Sequence, residues 1–463
     1  MSPRRQTAVG GFLVWLLAAA VLGTACGGGG SPPAPAPAAP VRFSASFESG
    51  SIGPVTPLGA DGLAWELALR DDNDNPALPS AYRTWWYVRA DGVPVGPRLR
   101  LEFTRLGFRD PFVPVFSYDN RHWQYFNEQD VTLAGDRLRV EARFEATTVW
   151  IARTFPYTVT DLAAYLQTLA GNPHLRIETL GPSPRLQLPL RLLTVEDPSV
   201  STPRETVWVH ARSHPGETGP SFLLEGLLAA LLGDDPLGRS LRSRFRFRIV
   251  PMHNPDGVFL GNYRTNAGSV NLESSWVFPE GGVQLSADAP LENRLLNQFG
   301  MAPVLLDGQA PPVLALNLHA SNAAPDTAAF FFPHFGDDPA RYTAAQRNLW
   351  QKQIAFITRV ALEYDGRIEQ PPAEGGAGFL ASAFPETWWW AQRQDAVNAI
   401  TLETTYGRAG FDHWVTRDDL RRLGAAVARA IDTLGAAPGP AAAQGRALVF
   451  RLPFKPEIYR DRQ

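Results

Sequence analysis

From residue 41 to about 152, apolar and polar positions alternate over short runs: Phe43-Ser-Ala-Ser-Phe47, Thr84-Trp-Trp-Tyr-Val-Arg89, Arg98-Leu-Arg-Leu-Glu-Phe103 and Leu138-Arg-Val-Glu-Ala-Arg-Phe144. A period of two is that of half-buried strands. Turn clusters such as Asp91-Gly92 and Asp119-Asn120 separate the runs, and no long helical period interrupts them. The pattern predicts an antiparallel β-sandwich. Near Arg153 it changes. Asp161 to Leu169 has a helical pattern that Thr160 or Asp161 could cap. Apolar strands then alternate with helices as far as about Leu434. Val207-Trp-Val-His-Ala211 leads to an apolar helix from Phe222 to Leu232, with Pro220 suited to a first helical position and Gly233 to the stop. Phe245 to Val250, Val313 to His319 and Ala396 to Glu403 are further strands. This alternation predicts an α/β domain over residues 153–434 with a mostly parallel sheet, whose sites gather at the carboxyl ends of strands. Residues 435–463 form an Ala/Pro/Gly-rich tail that ends in Arg446 to Phe454, a candidate edge strand.

Composition alters little in the body of the chain. Its 463 residues can bury a substantial core, and a net charge of -3 with no basic tract gives no reason to expect nucleic acid. The N-terminus is more specific. Arg4 and Arg5 precede an apolar run from Ala8 to Leu22, and Cys26, the only cysteine, follows Gly23-Thr24-Ala25. Residues 1–26 read as a secretory signal whose Cys26 is lipobox-like, and residues 27–40 as a Gly/Pro/Ala tether. Together they predict a protein exported across the inner membrane, a lipid-anchored envelope or periplasmic lipoprotein that touches membrane only through Cys26. Nothing in the sequence indicates an oligomeric state.

The candidate chemistry lies at strand ends. His214 and Glu217 stand three residues apart on a tight turn between a strand and a helix, so both can reach one ion. A catalytic zinc takes three protein ligands and keeps a position for water. His319, closing an apolar run, is where a third ligand is expected if the sheet is parallel. Glu403 puts a carboxylate on an apolar strand, which is costly unless it is paired, hydrogen-bonded or near a metal. Arg264 is a cation shortly beyond the strand that ends at Val250. His253, at a strand-end turn, is as readily a structural hydrogen-bonding residue as a ligand, and His122 beside Trp123 reads as peripheral.

Taken together, Tyr82-Arg-Thr-Trp-Trp-Tyr-Val-Arg89, Phe155-Pro-Tyr-Thr-Val-Thr-Asp161, His214-Pro-Gly-Glu217, Asn254-Pro-Asp-Gly257, Gly261-Asn-Tyr-Arg264, His319 and Glu403 resemble the M14 family of zinc carboxypeptidases, and within it the cytosolic-carboxypeptidase-like branch. The resemblance implies an N-terminal β-sandwich followed by an α/β domain with a mixed central sheet flanked by helices. It implies one zinc held by His214, Glu217 and His319, with Glu403 as general base and Arg264 as a partner of the oxyanion. The expected activity is hydrolysis of an amide bond in a peptide or peptide-like substrate; the alternative is a binding protein that keeps zinc on the same scaffold and has lost catalysis. One segment departs from the family. Where the family has Asp-Leu-Asn-Arg, whose Asn-Arg pair grips the substrate's terminal carboxylate, this chain has Asn271-Leu272-Glu273-Ser274. Asn271, Glu273, Ser274 and Arg264 are the candidate substrate-binding residues. A pocket-facing Glu273 would favour a neutral or cationic group beside the cleaved bond. Two smaller departures are Asn317-Leu-His-Ala320 in place of Asp-Leu-His-Gly, and Trp388, Trp389 and Trp390 near where some members place a substrate-contacting tyrosine.

Overall fold

The computed structural model describes residues 40–435 and 450, apart from 201–203, 307, 322, 374 and 377–382. The candidate edge strand from Arg446 to Phe454 lies outside them except for Phe450. The first part of the chain supplies strands β1 (Arg42–Ser44), β2 (Val55–Pro57), β3 (Ala64–Ala68), β4 (Tyr87–Asp91), β5 (Arg98–Thr104), β6 (Val115–Ser117), β7 (Trp123–Tyr125), β8 (Val131–Ala134), β9 (Arg137–Arg143) and β10 (Thr148–Ala152). They form two five-stranded sheets, ordered β1-β4-β10-β6-β7 and β2-β3-β5-β9-β8. Every pairing is antiparallel except β3 with β5. The alternation puts Leu99, Leu101, Phe103, Leu138, Val140, Val149 and Ile151 into one apolar core. Trp85 and Trp86 precede β4 and are buried, so the strand there starts later than the apolar run does.

The rest is an α/β domain: α1 (Val159–Thr168), β11 (Leu175–Pro182), β12 (Pro189–Val195), β13 (Glu205–Ala211), α2 (Gly219–Leu232), α3 (Pro236–Arg244), β14 (Phe245–Val250), α4 (Pro255–Leu260), α5 (Leu291–Leu295), β15 (Pro312–Ala320), β16 (Phe330–Phe332), α6 (Ala344–Glu363), α7 (Pro385–Arg393), β17 (Asn398–Thr404) and α8 (Arg417–Asp432). Its seven-stranded sheet runs β11-β12-β14-β13-β15-β17-β16. The four central strands are parallel and the outer pairings antiparallel, a mixed sheet. The cap of α1 is Thr158 rather than Thr160 or Asp161; Asp161 sits at the third helical position and closes a capping box.

The central strands are apolar on both faces because helices cover both. Val207, Val209 and Ala211 of β13 join the core under α2, α6 and α8, while Trp208 joins a second core with Trp276, Trp388 and Trp389. Helix α2 starts two residues beyond Glu217 and is locked against α8 at close range. A Cβ at Gly226 would stand 1.9 Å from the Arg421 carbonyl oxygen, and one at Gly424 2.0 Å from that of Leu223. The turn before α2 is thus fixed to a rigid helix pair.

Candidate metal centre

The site is built on the carboxyl ends of β13, β15 and β17. Just past β13, Arg212 adopts a left-handed backbone with φ of 64°. Its buried guanidinium donates to the Pro215 carbonyl (Nε, 3.2 Å), the Tyr157 carbonyl (Nη1, 3.1 Å) and Ser221 Oγ (2.8 Å). One side chain therefore ties the turn to the segment before α1 and to the first turn of α2. Gly216 is required there, since a Cβ would lie 2.7 Å from Tyr263 Cδ2 and 3.2 Å from Trp85 Cβ.

This turn delivers His214 and Glu217, and β15 delivers His319; all three are buried. Their ligating atoms all lie within 4.8 Å of one another. His214 Nδ1 is 2.8 Å from Glu217 Oε1, His319 Nδ1 is 2.9 Å from Glu217 Oε2, and the two Nδ1 atoms are 3.0 Å apart. Ligands about 2.1 Å from a tetrahedral zinc lie roughly 3.4 Å from each other, so the cluster is close to that arrangement. Burial, and then the nearby Arg264 charge, pushes His214 down to about 4, which keeps the imidazole neutral and able to ligate. Burial alone would raise Glu217, but the neighbouring histidines hold its carboxyl well below the usual range. Two imidazoles and a carboxylate converging in a buried site suit a divalent cation of zinc type. The residues fit the metal.

The far nitrogens of both rings face the departing segment. Asn271 Oδ1 lies 3.1 Å from His214 Nε2, and Glu273 Oε2 lies 3.0 Å from His319 Nε2. Glu273 is 1% exposed, and its other oxygen accepts from Asn317 Nδ2 at 2.7 Å. This corrects the expectation that Glu273 lines the substrate pocket: it faces inward, under a metal-ligand candidate. Asn271 is likewise turned to the histidines, and Ser274 is exposed.

Glu403 is buried on β17, and its Cα pairs with that of His319 in the parallel ladder. Partners in such a register present their side chains to the same face, so Glu403 stands beside the histidine. Arg264 Nη1 is 3.5 Å from Glu217 Oε1, with a quarter of its side chain exposed. Sequence reasoning missed what holds Arg264. Asp72, buried in the N-terminal part of the chain, accepts from the backbone N–H groups of Tyr263 (2.7 Å), Arg264 (2.8 Å) and Thr265 (2.8 Å). It also accepts from Thr265 Oγ1 at 3.1 Å. Its neighbour Asn73 donates to the Asn266 carbonyl at 2.8 Å and exchanges hydrogen bonds with Asn262. The only local signal was the run Asp71-Asp-Asn-Asp74, which reads as an ordinary polar loop.

His253 is buried 3.1 Å from Ser213 Oγ and outside the ligand cluster, while His122 is exposed on an N-terminal turn. Trp388 and Trp389 are buried in the second core of the α/β domain.

Comparison with known proteins extends these observations. Residues 43–154 match the cytosolic carboxypeptidase N-terminal domain and residues 162–284 the zinc carboxypeptidase domain of the M14 peptidases. Cytosolic carboxypeptidase 6 of Mus musculus is 30% identical over 259 residues, 52% of this chain and 47% of that protein. Its counterpart in Caenorhabditis elegans is 25% identical over 332 residues, 66% and 68%. The chain spans about half the length of the mouse and human cytosolic carboxypeptidase 6 proteins it matches. Among solved structures, a metallo-carboxypeptidase from Burkholderia cenocepacia has the same fold, with a TM-score of 0.70 at 24% identity, covering 85% of this chain and 98% of that one. A metallo-carboxypeptidase from Pseudomonas aeruginosa superposes with a TM-score of 0.67 at 22% identity, covering the same shares. These matches correct the expectation of an exported, lipid-anchored protein. Relatives named as cytosolic match it, as does an N-terminal domain of cytosolic carboxypeptidases, so the reading of Cys26 as a membrane anchor is withdrawn. The stretch that suggested it lies outside the described residues. By domain order and by these matches, residues 43–154 are similar to the N-terminal domain of the cytosolic carboxypeptidases and residues 162–284 to the zinc carboxypeptidase domain of the M14 peptidases, on a fold shared with solved metallo-carboxypeptidases.

Proposed function

We propose that this protein is a one-zinc hydrolase that cleaves an amide bond in a peptide or peptide-like substrate, with His214, Glu217 and His319 as the metal ligands. Zinc at such a site supplies an acidified water and polarises the scissile carbonyl. The other steps belong to the chain. Glu403 takes the water proton as general base and passes it to the leaving nitrogen as general acid. Arg264 offers a guanidinium to the developing oxyanion, where a fixed cation in a dry site needs no reorganisation. Arg212 and the α2–α8 pair keep the ligand turn from moving during this charge shift.

The observation that carries the reading is the register of β15 with β17, which sets Glu403 beside His319 on the face where the ligands converge. Recognition of the substrate's end does not rest on the family's Asn-Arg pair, since Glu273 is turned under His319 and Ser274 carries no charge.

The test is Glu403→Gln. Peptide hydrolysis should fall by roughly 10²–10⁴, the usual range for a lost general base, while the protein still binds one zinc. Full activity in the variant sinks the role of Glu403. A wild type that holds one zinc yet cleaves nothing in a broad amide screen, with a chelator control, would identify a binding protein on this scaffold instead.

A further inference from the structure

Both carboxyl oxygens of Glu273 have close neighbours. Oε2 lies 3.0 Å from His319 Nε2 and Oε1 accepts from Asn317 Nδ2 at 2.7 Å. The Asn317 amide is itself oriented, because its Nδ2 also donates to Glu386 Oε1 at 3.1 Å, and that oxygen accepts from Thr401 Oγ1. Two buried carboxylates thus face one amide nitrogen. Flipping Asn317 would turn its carbonyl oxygen against both, so its donor side is fixed by charge. The chain Thr401–Glu386–Asn317–Glu273–His319 runs beneath the metal centre, and every member is buried.

We propose that Glu273 is the positioning residue for His319: it receives the Nε2–H, fixes the tautomer that leaves Nδ1 as the ligating atom, and holds the ring toward Glu217 and His214. This rests on the zinc reading above and adds to it a second use of the departing segment. Asn271 serves His214 through Nε2 at 3.1 Å, and Glu273, two residues on, serves His319. Residue 273, at the place where the family's motif has an asparagine for the substrate, here serves the metal. Outer partners of ligating histidines set tautomer and ring orientation, and losing one typically costs about 10–100-fold in metal affinity.

Glu273→Gln is the informative variant because the network dictates how the amide must sit. Asn317 and Glu386 leave only a donor facing residue 273, so the new amide oxygen turns to Asn317. Its NH₂ then faces His319 Nε2. That nitrogen must offer a lone pair, the ring proton moves to Nδ1, and the ligating position is blocked. The measurement is the zinc dissociation constant of the full chain by competition with a chromogenic chelator, beside the ¹⁵N histidine spectrum of the metal-free protein. Wild type should bind one zinc and show an Nε2–H signature for His319. The variant should bind at least about tenfold more weakly, with the Nδ1–H signature and a metal-free melting temperature unchanged. Equal zinc affinity in variant and wild type overturns the proposal. A wild type that binds no zinc overturns the ligand assignment instead, so the two failures are distinct. If Glu273→Gln does not fold, Glu273→Asp carries the test: it keeps the charge, draws it back by one methylene, and should weaken zinc in the same direction. An unchanged affinity in the folded Asp variant counts equally against the proposal.

Discussion

Two regions meet at this site and are held in opposite ways. The floor, with His214, Glu217, His319 and Glu403, is made by the ends of three adjacent strands of one sheet and by a turn that Arg212 clamps. The arch, residues 261–270 with Arg264 on it, has no regular structure around that arginine and is held from outside by Asp72 and Asn73. The floor depends on strand packing, on the Arg212 clamp and on Asn271 and Glu273 behind the two histidines. The arch depends on acceptors supplied by a chain segment about 190 residues away. The Asp72 anchor therefore acts on Arg264 rather than on the metal ligands, and its loss should fall mainly on oxyanion stabilisation.

The strongest break of that comparison is in the floor itself. Glu217→Ala removes the carboxylate that both histidines face and should abolish stoichiometric zinc binding. Hydrolysis should drop by at least about a thousandfold, as when one member of a catalytic unit is lost. Zinc content of the purified variant by atomic absorption checks it, and retained stoichiometric zinc counts against the ligand assignment. Treating wild type with a chelator and restoring zinc should reproduce the loss and reverse it.

Acid tests the floor next. Burial pushes His210 down to about 4 and His253 to about 3, so both are neutral in the fold, whereas the unfolded chain protonates them near 6.5. Between about pH 6.5 and 4 the unfolded state therefore binds protons that the folded state refuses. Stability then rises with pH and falls on acidification. The upper bound is about 3 kcal/mol for His210 and about 5 kcal/mol for His253, of which about 2 kcal/mol each falls between pH 7 and pH 5. Denaturant titrations of the zinc-free protein at pH 7 and pH 5 measure it. No loss between them would mean that the layer beneath the metal is wetter than its burial indicates.

The arch responds to Asp72→Asn. Asp72 accepts four hydrogen bonds, three of them from consecutive backbone N–H groups. An asparagine sets a donor against some of those donors and leaves buried N–H groups unmatched, at about 1–3 kcal/mol each. We expect kcat/KM to fall about 10–100-fold as Arg264 loses its place, with zinc affinity within a factor of about two. Zinc weakened in parallel would show that floor and arch are one unit.

The same contrast explains what was legible in the sequence. His214-Pro-Gly-Glu217, His319 and Glu403 each end an apolar, β-branched run, so local pattern exposes them and a parallel sheet collects them. The buried strands Phe245–Val250 and Val313–His319 were readable for the same reason. Asp72 was not, because its partners are distant in sequence and its own neighbours are a polar loop. Nor was the direction of Glu273. Asn-Leu-Glu-Ser names a carboxylate but not the side of the loop it faces, and Asn317 and Glu386, which settle the matter, arrive 44 and 113 residues later. The antiparallel pair β11–β12 widens the sheet beyond the parallel core that strand–helix alternation announces.

The smallest effect, and the finest probe of the arch, is Asn73→Ala. Asn73 adopts a left-handed backbone with φ of 53°, which asparagine tolerates better than alanine. Its side chain donates to the Asn266 carbonyl and to Ser269 Oγ at 3.1 Å and accepts from Asn262 Nδ2 at 2.9 Å. None of these contacts reaches Arg264, which Asp72 holds by its backbone. Alanine should therefore loosen the far side of the arch and lower stability by about 1–2 kcal/mol, from lost hydrogen bonds and the strained φ together. Turnover should fall only a few-fold. A larger loss of kcat than in Asp72→Asn would reverse the ranking and move the anchor of Arg264 from the backbone of residues 263–265 to Asn262 and Asn266.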